Sequence, residues 1–285
     1  MKELLVKYKR DLALKGYSPK TCEHYFRDVK QFLVYYNLPI SEIDTEKIKD
    51  YLYYLISERK ASDSKIRISH SAIRYFFMQT LSRPWEAGGI PYVKRKKTLP
   101  KVFSFKEVIS ILKNAANIKH KTLIALIYSS GLRLSESVNL KLTDIKRDSM
   151  RILVRQGKGA KDRYTILSDI CLKYLEKYWK QYKPNNWLFI GYKKNNHLSP
   201  RACQHAFSLA KERAGITKEG SVHTLRHSFA THFLESGGGL FQLQKFLGHK
   251  CLKTTLVYAH IQTEKIVAYS PLDFFLKEQD DDDSE

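Results

Sequence analysis

Four stretches of the chain carry residue types that could act on a phosphate. In His223-Thr224-Leu225-Arg226-His227, His223 and Arg226 are three apart, so on a helix they share a face. A guanidinium beside an imidazole suits a phosphodiester: the arginine bonds two oxygens, and the histidine supplies or removes a proton. Other readings stand beside this one. His-x-x-x-His can hold zinc, although the zinc-protease pattern needs Glu where Thr224 stands, and His227 with His232 can simply pack. In Gly131-Leu132-Arg133-Leu134-Ser135-Glu136, Arg133 follows a helix-ending glycine. There it either points into a cleft or pairs with Glu136 on the surface. Gln156-Gly157-Lys158-Gly159-Ala160-Lys161-Asp162-Arg163 flanks Lys158 with glycines, which let a backbone come close to a polyanion. The P-loop pattern is absent, and a plain charged turn is the alternative. Last come Leu247-Gly248-His249 and then Lys253-Thr254-Thr255-Leu256-Val257-Tyr258-Ala259-His260. The chain has 18 tyrosines, so spacing alone marks none of them as a nucleophile.

These residues need a scaffold, and the sequence predicts a mainly helical one with a small β component. Ser18-Pro19 reads as an N-cap with proline in the first helical position. Tyr25, Val29, Phe32, Leu33 and Tyr36 then recur at helical spacing. A further helix starts near Asp44 with Ile48, Leu52 and Leu55 inside, and another covers 63–81 with Ile66, Ile73 and Phe77 on one side. Together they make a small helical bundle over 1–90. Pro84, Gly88, Gly89, Pro91 and Pro100 break the pattern. The expected linker at 91–103 contains Lys94, Arg95, Lys96 and Lys97, either a solvated run or one that tracks a phosphate backbone. A second domain over 104–285 opens with a capping box at Ser104 and Glu107. A helix over 121–130 stops at Gly131. Runs at 150–155 and 163–167 read as a hairpin. Helices follow at 169–183, 200–214, 224–236 and 240–247, with a short one ending near Tyr258.

Composition narrows the partners. Lys and Arg number 50 against 29 Asp and Glu, a formal net charge of +21. A field of that sign draws polyanions, above all nucleic acid. Aromatic residues at 12% argue against a disordered basic tail. No apolar run reaches the ~20 residues of a membrane span, and the N-terminus has no h-region of a signal peptide. Cys22, Cys171, Cys203 and Cys251 lie far apart, without zinc spacing, as reduced cytoplasmic thiols would. The acidic tail at Asp280–Asp283 and Glu285 has no role in this reading.

Taken together and in this order, the four stretches resemble the tyrosine recombinase, or phage integrase, family. The pattern is Gly-Leu-Arg-x-Ser-Glu, Gly-Lys-Gly-x-Lys-x-Arg, His-x-Leu-Arg-His, Leu-Gly-His and Thr-Thr-x-x-Tyr, and it covers most of 104–262. The N-terminal helices fit that family's SAM-like core-binding domain more loosely. The resemblance implies an α+β catalytic domain in which Tyr258 attacks a scissile phosphate, leaving a 3′-phosphotyrosyl bond and a free 5′-hydroxyl. Such a bond keeps the phosphodiester energy, so rejoining needs no ATP. It implies that Arg133 and Arg226 clamp the non-bridging oxygens and that Lys158 protonates the leaving oxygen. His223 would help deprotonate Tyr258, whose ordinary pKa is about 10. His249 would donate to the phosphate, and Glu136 would orient an Arg or His. No metal and no cofactor are implied. The implied partners are double-stranded DNA recombination sites, held by a homo-tetramer on two sites, with no membrane. Apolar Ile261, Ile266, Val267 and the run 272–276 would dock on a neighbour. Gly237-Gly238-Gly239 departs from the pattern and is expected to weaken the next helix start. Two rivals remain at this point: a DNA binder without chemistry, and a type IB topoisomerase-like nicking and closing enzyme.

Overall fold

Three of the four helices of the N-terminal bundle begin at a side chain that satisfies a free backbone N–H. A computed structural model describes residues 1–85, 90, 100–155, 162–192 and 196–261. The chain divides into two units, Met1–Thr98 and Leu99–Glu285. The first unit holds α1 (Lys2–Leu14), α2 (Pro19–Tyr36), α3 (Thr45–Ser57) and α4 (Asp63–Tyr75). The Ser18 hydroxyl accepts from the Thr21 amide, Asp44 from Lys47 and Ser62 from Lys65. Their apolar faces meet around Tyr8, Leu12, Val29, Phe32, Ile73 and Phe76, all fully buried. Inside the unit, the Asp28 carboxylate is buried and accepts from Lys65 Nζ at 2.6 Å and Ser69 Oγ at 2.9 Å. A buried charge needs such partners, and these tie α2 to α4.

The helix predicted over 63–81 does not stay α-helical to its end. From Phe76 to Thr80 it widens into a π-helical turn. The extra residue per turn lets the neighbours Phe76 and Phe77 both enter the core. It also brings the Thr80 hydroxyl to Asp11 Oδ2 at 2.8 Å, while the Tyr75 hydroxyl donates to the Asp11 carbonyl at 3.0 Å.

The second unit runs α5 (Phe105–Lys113), α6 (Ile118–Ser130), α7 (Leu134–Val138), β1 (Ile145–Lys146), β2 (Arg151–Val154), β3 (Arg163–Ile166), α8 (Asp169–Tyr182), α9 (Pro200–Arg213), α10 (Val222–Glu235), α11 (Leu240–Leu247) and α12 (Leu252–Thr255), then a 3-10 turn at Leu256–Ile261. The predicted capping box forms, with Ser104 Oγ accepting from the Glu107 amide and Glu107 accepting from the Ser104 amide. α6 starts three residues before its expected place, because Asn117 caps it by accepting from His120. After its first turn it is buried on every side, from Thr122 to Ile127, as a central helix must be, and packs against α8 and α10. The hairpin is present as β2 and β3, antiparallel, with Ile152 opposite Thr165 and Val154 opposite Arg163. β1 adds a third strand, two residues long and too short to leave a pattern. The architecture is thus mainly α with a small antiparallel sheet. Among the described residues no helix is long and apolar enough to cross a membrane.

Two of the three glycines after α10 close that helix, and the third, Gly239, is the N-cap of α11 and offers it no side-chain bond. The Gly238 amide donates to Phe233 O at 2.9 Å and the Gly237 amide to Leu234 O at 3.0 Å, the paired bonds of a Schellman stop. A Cβ at Gly238 would lie 2.3 Å from the Phe233 ring.

Gly131 is the other stop that matters. It ends α6 at φ +61, a region costly for any residue with a Cβ. A Cβ there would also sit 2.4 Å from Phe229 Cδ1. Gly131→Ala is therefore expected to lower unfolding free energy by about 3 kcal/mol, combining left-handed strain with overpacking. Urea titration should show a lower midpoint at unchanged slope. A loss below about 0.5 kcal/mol, the size of an ordinary surface change, would contradict this account.

Candidate active site

Three guanidinium groups of the second unit converge on one carboxylate. Glu136 sits in the first turn of α7, and its Oε2 accepts from the Arg133 amide at 2.8 Å. The same carboxylate accepts from Arg133 Nη1 at 2.6 Å and from Arg163 Nη1 and Nη2 at 2.8 and 2.7 Å. Arg226 Nη1 lies 3.8 Å from it. Burial would raise the Glu136 pKa, but the hydrogen bonds and charge of Arg163 and then Arg133 reverse that and hold it at about 2. One negative charge thus faces three positive ones, and the surplus is available to an anion.

Arg226 is 2% exposed and is held by backbone. Its Nη1 donates to Gly131 O and its Nη2 to Leu247 O, each at 2.6 Å. Those carbonyls lie at the C-terminal ends of α6 and α11, where helix carbonyls lack partners and carry partial negative charge. Burial and then the Arg133 charge pull the Arg226 pKa down to about 9, which leaves it cationic at neutral pH.

His249 closes this half of the site. Arg226 Nη2 is 3.3 Å from His249 Nε2, and His249 Nδ1 is 3.0 Å from Thr255 Oγ1. A guanidinium can only donate. His249 Nε2 therefore accepts, and its proton sits on Nδ1, facing the threonine. The resemblance implied that His249 donates to a phosphate; here its Nε2 is an acceptor for Arg226.

The other half holds the tyrosine. Tyr258 is 3% exposed and packs with Phe229, Ala230, Leu234, Leu243 and Leu247. Its hydroxyl is 2.6 Å from His227 Nδ1. The His223 ring meets the His227 ring edge-on, with centroids 4.7 Å apart. Burial raises the Tyr258 pKa while the Arg226 charge opposes the rise. Burial, then His223 and Arg226, push His227 down to about 4. His223 is lowered too, by burial and then by Arg226 and Arg133. Both imidazoles are neutral at neutral pH.

The structure therefore brings together Arg133, Glu136, Arg226 and His249, and beside them His223 and Tyr258. It differs from expectation on the tyrosine's partner. His227, not His223, meets the hydroxyl. The two are one helical turn apart on one face, so spacing could not choose between them. Nor does His227 pack on His232, which instead bonds the Tyr128 hydroxyl at 2.8 Å. Lys158 and the run Lys94, Arg95, Lys96 and Lys97 lie outside the described residues, as do Ile266, Val267 and 272–276.

Arg163 was in the sequence motif without a role. It grips Glu136 with both Nη atoms, and its Nε donates to Phe246 O at 2.9 Å. Its stem runs past Gly248, where a Cβ would be 2.7 Å from Arg163 Cδ. The signal was available. Period two along β3 puts Arg163 on the face of buried Thr165, and a buried arginine needs a carboxylate. Among the described residues no three His, Cys, Asp or Glu side chains group as a metal site.

Residues 101–265 match the phage integrase family, and residues 4–87 match its N-terminal SAM-like domain. The integrase/recombinase-like protein y4qK of Sinorhizobium fredii is 36% identical over 271 residues, covering 95% of this chain and 88% of its own. Tyrosine recombinase XerD of Staphylococcus saprophyticus is 32% identical, covering 93% and 96%. Among solved structures, a lambda integrase tetramer bound to a Holliday junction superposes with a TM-score of 0.75 at 18% identity, over 94% of this chain and 79% of its own.

Ionised Glu136 should hold the unit together down to acid pH. Its pKa falls from the ordinary 4.5 to about 2; lowering it on folding stabilises the native state by about 3 kcal/mol above the unfolded-state value. That stability is present above about pH 4.5 and is lost as pH falls toward about 2. Glu136→Gln should cost about 3 kcal/mol at pH 7, leaving buried Arg163 without its counter-charge. It should also flatten the acid limb of the stability profile, read by urea unfolding from pH 7 to 3. An unchanged acid limb would show that Glu136 does not carry it.

Proposed function

The chain belongs to the phage integrase family, the tyrosine site-specific recombinases, and on that premise we propose that Tyr258 attacks a DNA phosphate and becomes joined to its 3′ side. One observation carries the reading: a buried tyrosine hydroxyl bonded to an imidazole on α10, the helix that also carries Arg226. The excess cationic charge around Glu136 supports a binding place for the phosphate. Arg133 and Arg226 hold its non-bridging oxygens and offset the charge that grows there in the transition state. Lys158 protonates the leaving 5′-oxygen. His249 donates a hydrogen bond to the phosphate, its ring turning from Arg226 to do so. Glu136 and Arg163 position the arginines without touching substrate. The phosphotyrosyl bond stores the energy of the broken one, so the freed 5′-hydroxyl can attack it and rejoin a strand.

The DNA partner is a pair of double-stranded recombination sites, and the working form is a homo-tetramer on both. The solved lambda integrase tetramer on a Holliday junction supports this arrangement. The Lys94, Arg95, Lys96 and Lys97 run adds phosphate contacts between the domains at 1–90 and 104–285. A binder without chemistry has no use for a nucleophile held in this way. The relatives named as recombinases favour recombination over simple nicking and closing.

Two measurements test the reading. Nicked duplexes containing the fragments that flank the protein's own gene, together with random sequence, should trap wild-type protein on DNA in a denaturing gel. Tyr258→Phe should bind the same DNA and give no adduct; an adduct of wild-type yield rules Tyr258 out. Binding should also weaken steeply with salt, with log K falling by about 0.9 per unit of log salt for each phosphate neutralised. A flat response would remove phosphate contact as the main source of affinity for a chain of net charge +21.

A further inference from the structure

The hydroxyl proton of a tyrosine nucleophile must leave as the oxygen bonds to phosphorus. In this chain the base in contact with that proton is His227, 2.6 Å away through Nδ1. His223 stands behind it, ring edge to ring face, one helical turn back. We propose that His227 is a further catalytic residue, taking the Tyr258 proton on Nδ1 during strand cleavage and returning it during rejoining. The proposal rests on Tyr258 being the nucleophile.

The step balances without any added reagent. The Tyr258 Oη–P bond forms as the bond from phosphorus to the 5′-oxygen breaks. The hydroxyl proton moves to His227 Nδ1, giving an imidazolium. The 5′-oxygen takes its proton from Lys158. In the reverse direction the imidazolium returns its proton to the phenolic oxygen as the 5′-hydroxyl attacks.

The surroundings make this base conditional. Among the described residues, the charged and titratable groups that face His227 are His223 and Arg226 from α10 and Tyr258 from the terminal turn. Burial, then His223 and the Arg226 cation, disfavour an imidazolium. A phosphate seated on Arg226 brings the opposite charge and relieves that penalty. The proton is therefore held on the tyrosine in the free protein and passes to His227 as the phenolic oxygen bonds to phosphorus. Burial of Tyr258 acts the same way, since it disfavours a phenolate standing alone.

Single-turnover cleavage of a nicked duplex tests the inference with wild type, His227→Asn, His227→Ala and Tyr258→Phe. Both His227 variants should bind DNA as wild type does and cleave at least about 10²-fold more slowly at pH 7, the usual share of a general base. The deficit should shrink as pH rises and phenolate forms unaided, and added imidazole should partly restore His227→Ala. Wild-type or faster cleavage by these variants overturns the proposal, faster cleavage marking His227 as a restraint on Tyr258. A Tyr258→Phe protein that still forms adduct overturns the nucleophile reading itself; an inert Tyr258→Phe beside normal His227 variants overturns only His227. Histidine 15N NMR of the unaltered protein is independent of variant folding. An unprotonated Nδ1 on His227 is expected, and a proton resting on Nδ1 overturns its role as acceptor.

Discussion

A single carboxylate, Glu136, is the counter-charge around which three arginines of the second unit are arranged. Its side chain is 7% exposed and touches guanidinium groups from three places in the chain. Arg133 comes from its own helix start, Arg163 from β3 and Arg226 from α10. Taking these charges out of water is costly, and Glu136 alone cannot neutralise them. The rest is supplied by backbone. The C-terminal ends of α6 and α11 aim carbonyls at Arg226, and Phe246 O receives Arg163. Helix ends are thus used as fixed partial negative charges. They cost no side-chain entropy and cannot be titrated away. The arginines stay in place without being fully neutralised, as a site for an anion requires.

This arrangement explains why two glycines are needed next to the cations. Gly131 and Gly248 follow α6 and α11, each in a left-handed turn. Such turns stop the helices abruptly and leave the last carbonyls free to face inward. At Gly248 the absent Cβ also gives room to the Arg163 stem. Chain termination and electrostatics are therefore one design. The helix stop that lets Arg133 leave α6 also supplies the Gly131 carbonyl that holds Arg226.

Much of this was legible in the sequence, for identifiable reasons. Ser18, Asp44 and Ser104 announce helix starts because capping is local, involving residues three apart. Arg133, Glu136, Arg226, His249 and Tyr258 were legible only in combination, since each alone reads equally well as a surface charge or packed ring. What escaped was set by contacts distant in sequence. β1 is two residues long and exists through its pairing with β2. The π-helical turn after α4 depends on Asp11, more than sixty residues away. His227 over His223 is a choice between adjacent turns of one helix face. Only the position of the terminal turn decides it.

Arg226 connects the two halves of the site. It is close enough to Tyr258 to lower the cost of a phenolate, and close enough to His227 to raise the cost of an imidazolium. In the free protein these effects oppose each other across one hydrogen bond. The cation favours a charged oxygen, yet it penalises the base that would accept the proton, and burial penalises both charged forms. The neutral pair is the result. A phosphate diester lying against Arg226 offsets both effects of that cation, steadying an imidazolium and withdrawing the help given to a free phenolate. Bond formation between the phenolic oxygen and phosphorus then removes the charge a phenolate would carry. On the proposed mechanism the buried Tyr258–His227 pair thus stays neutral until bond formation to phosphorus draws the proton across.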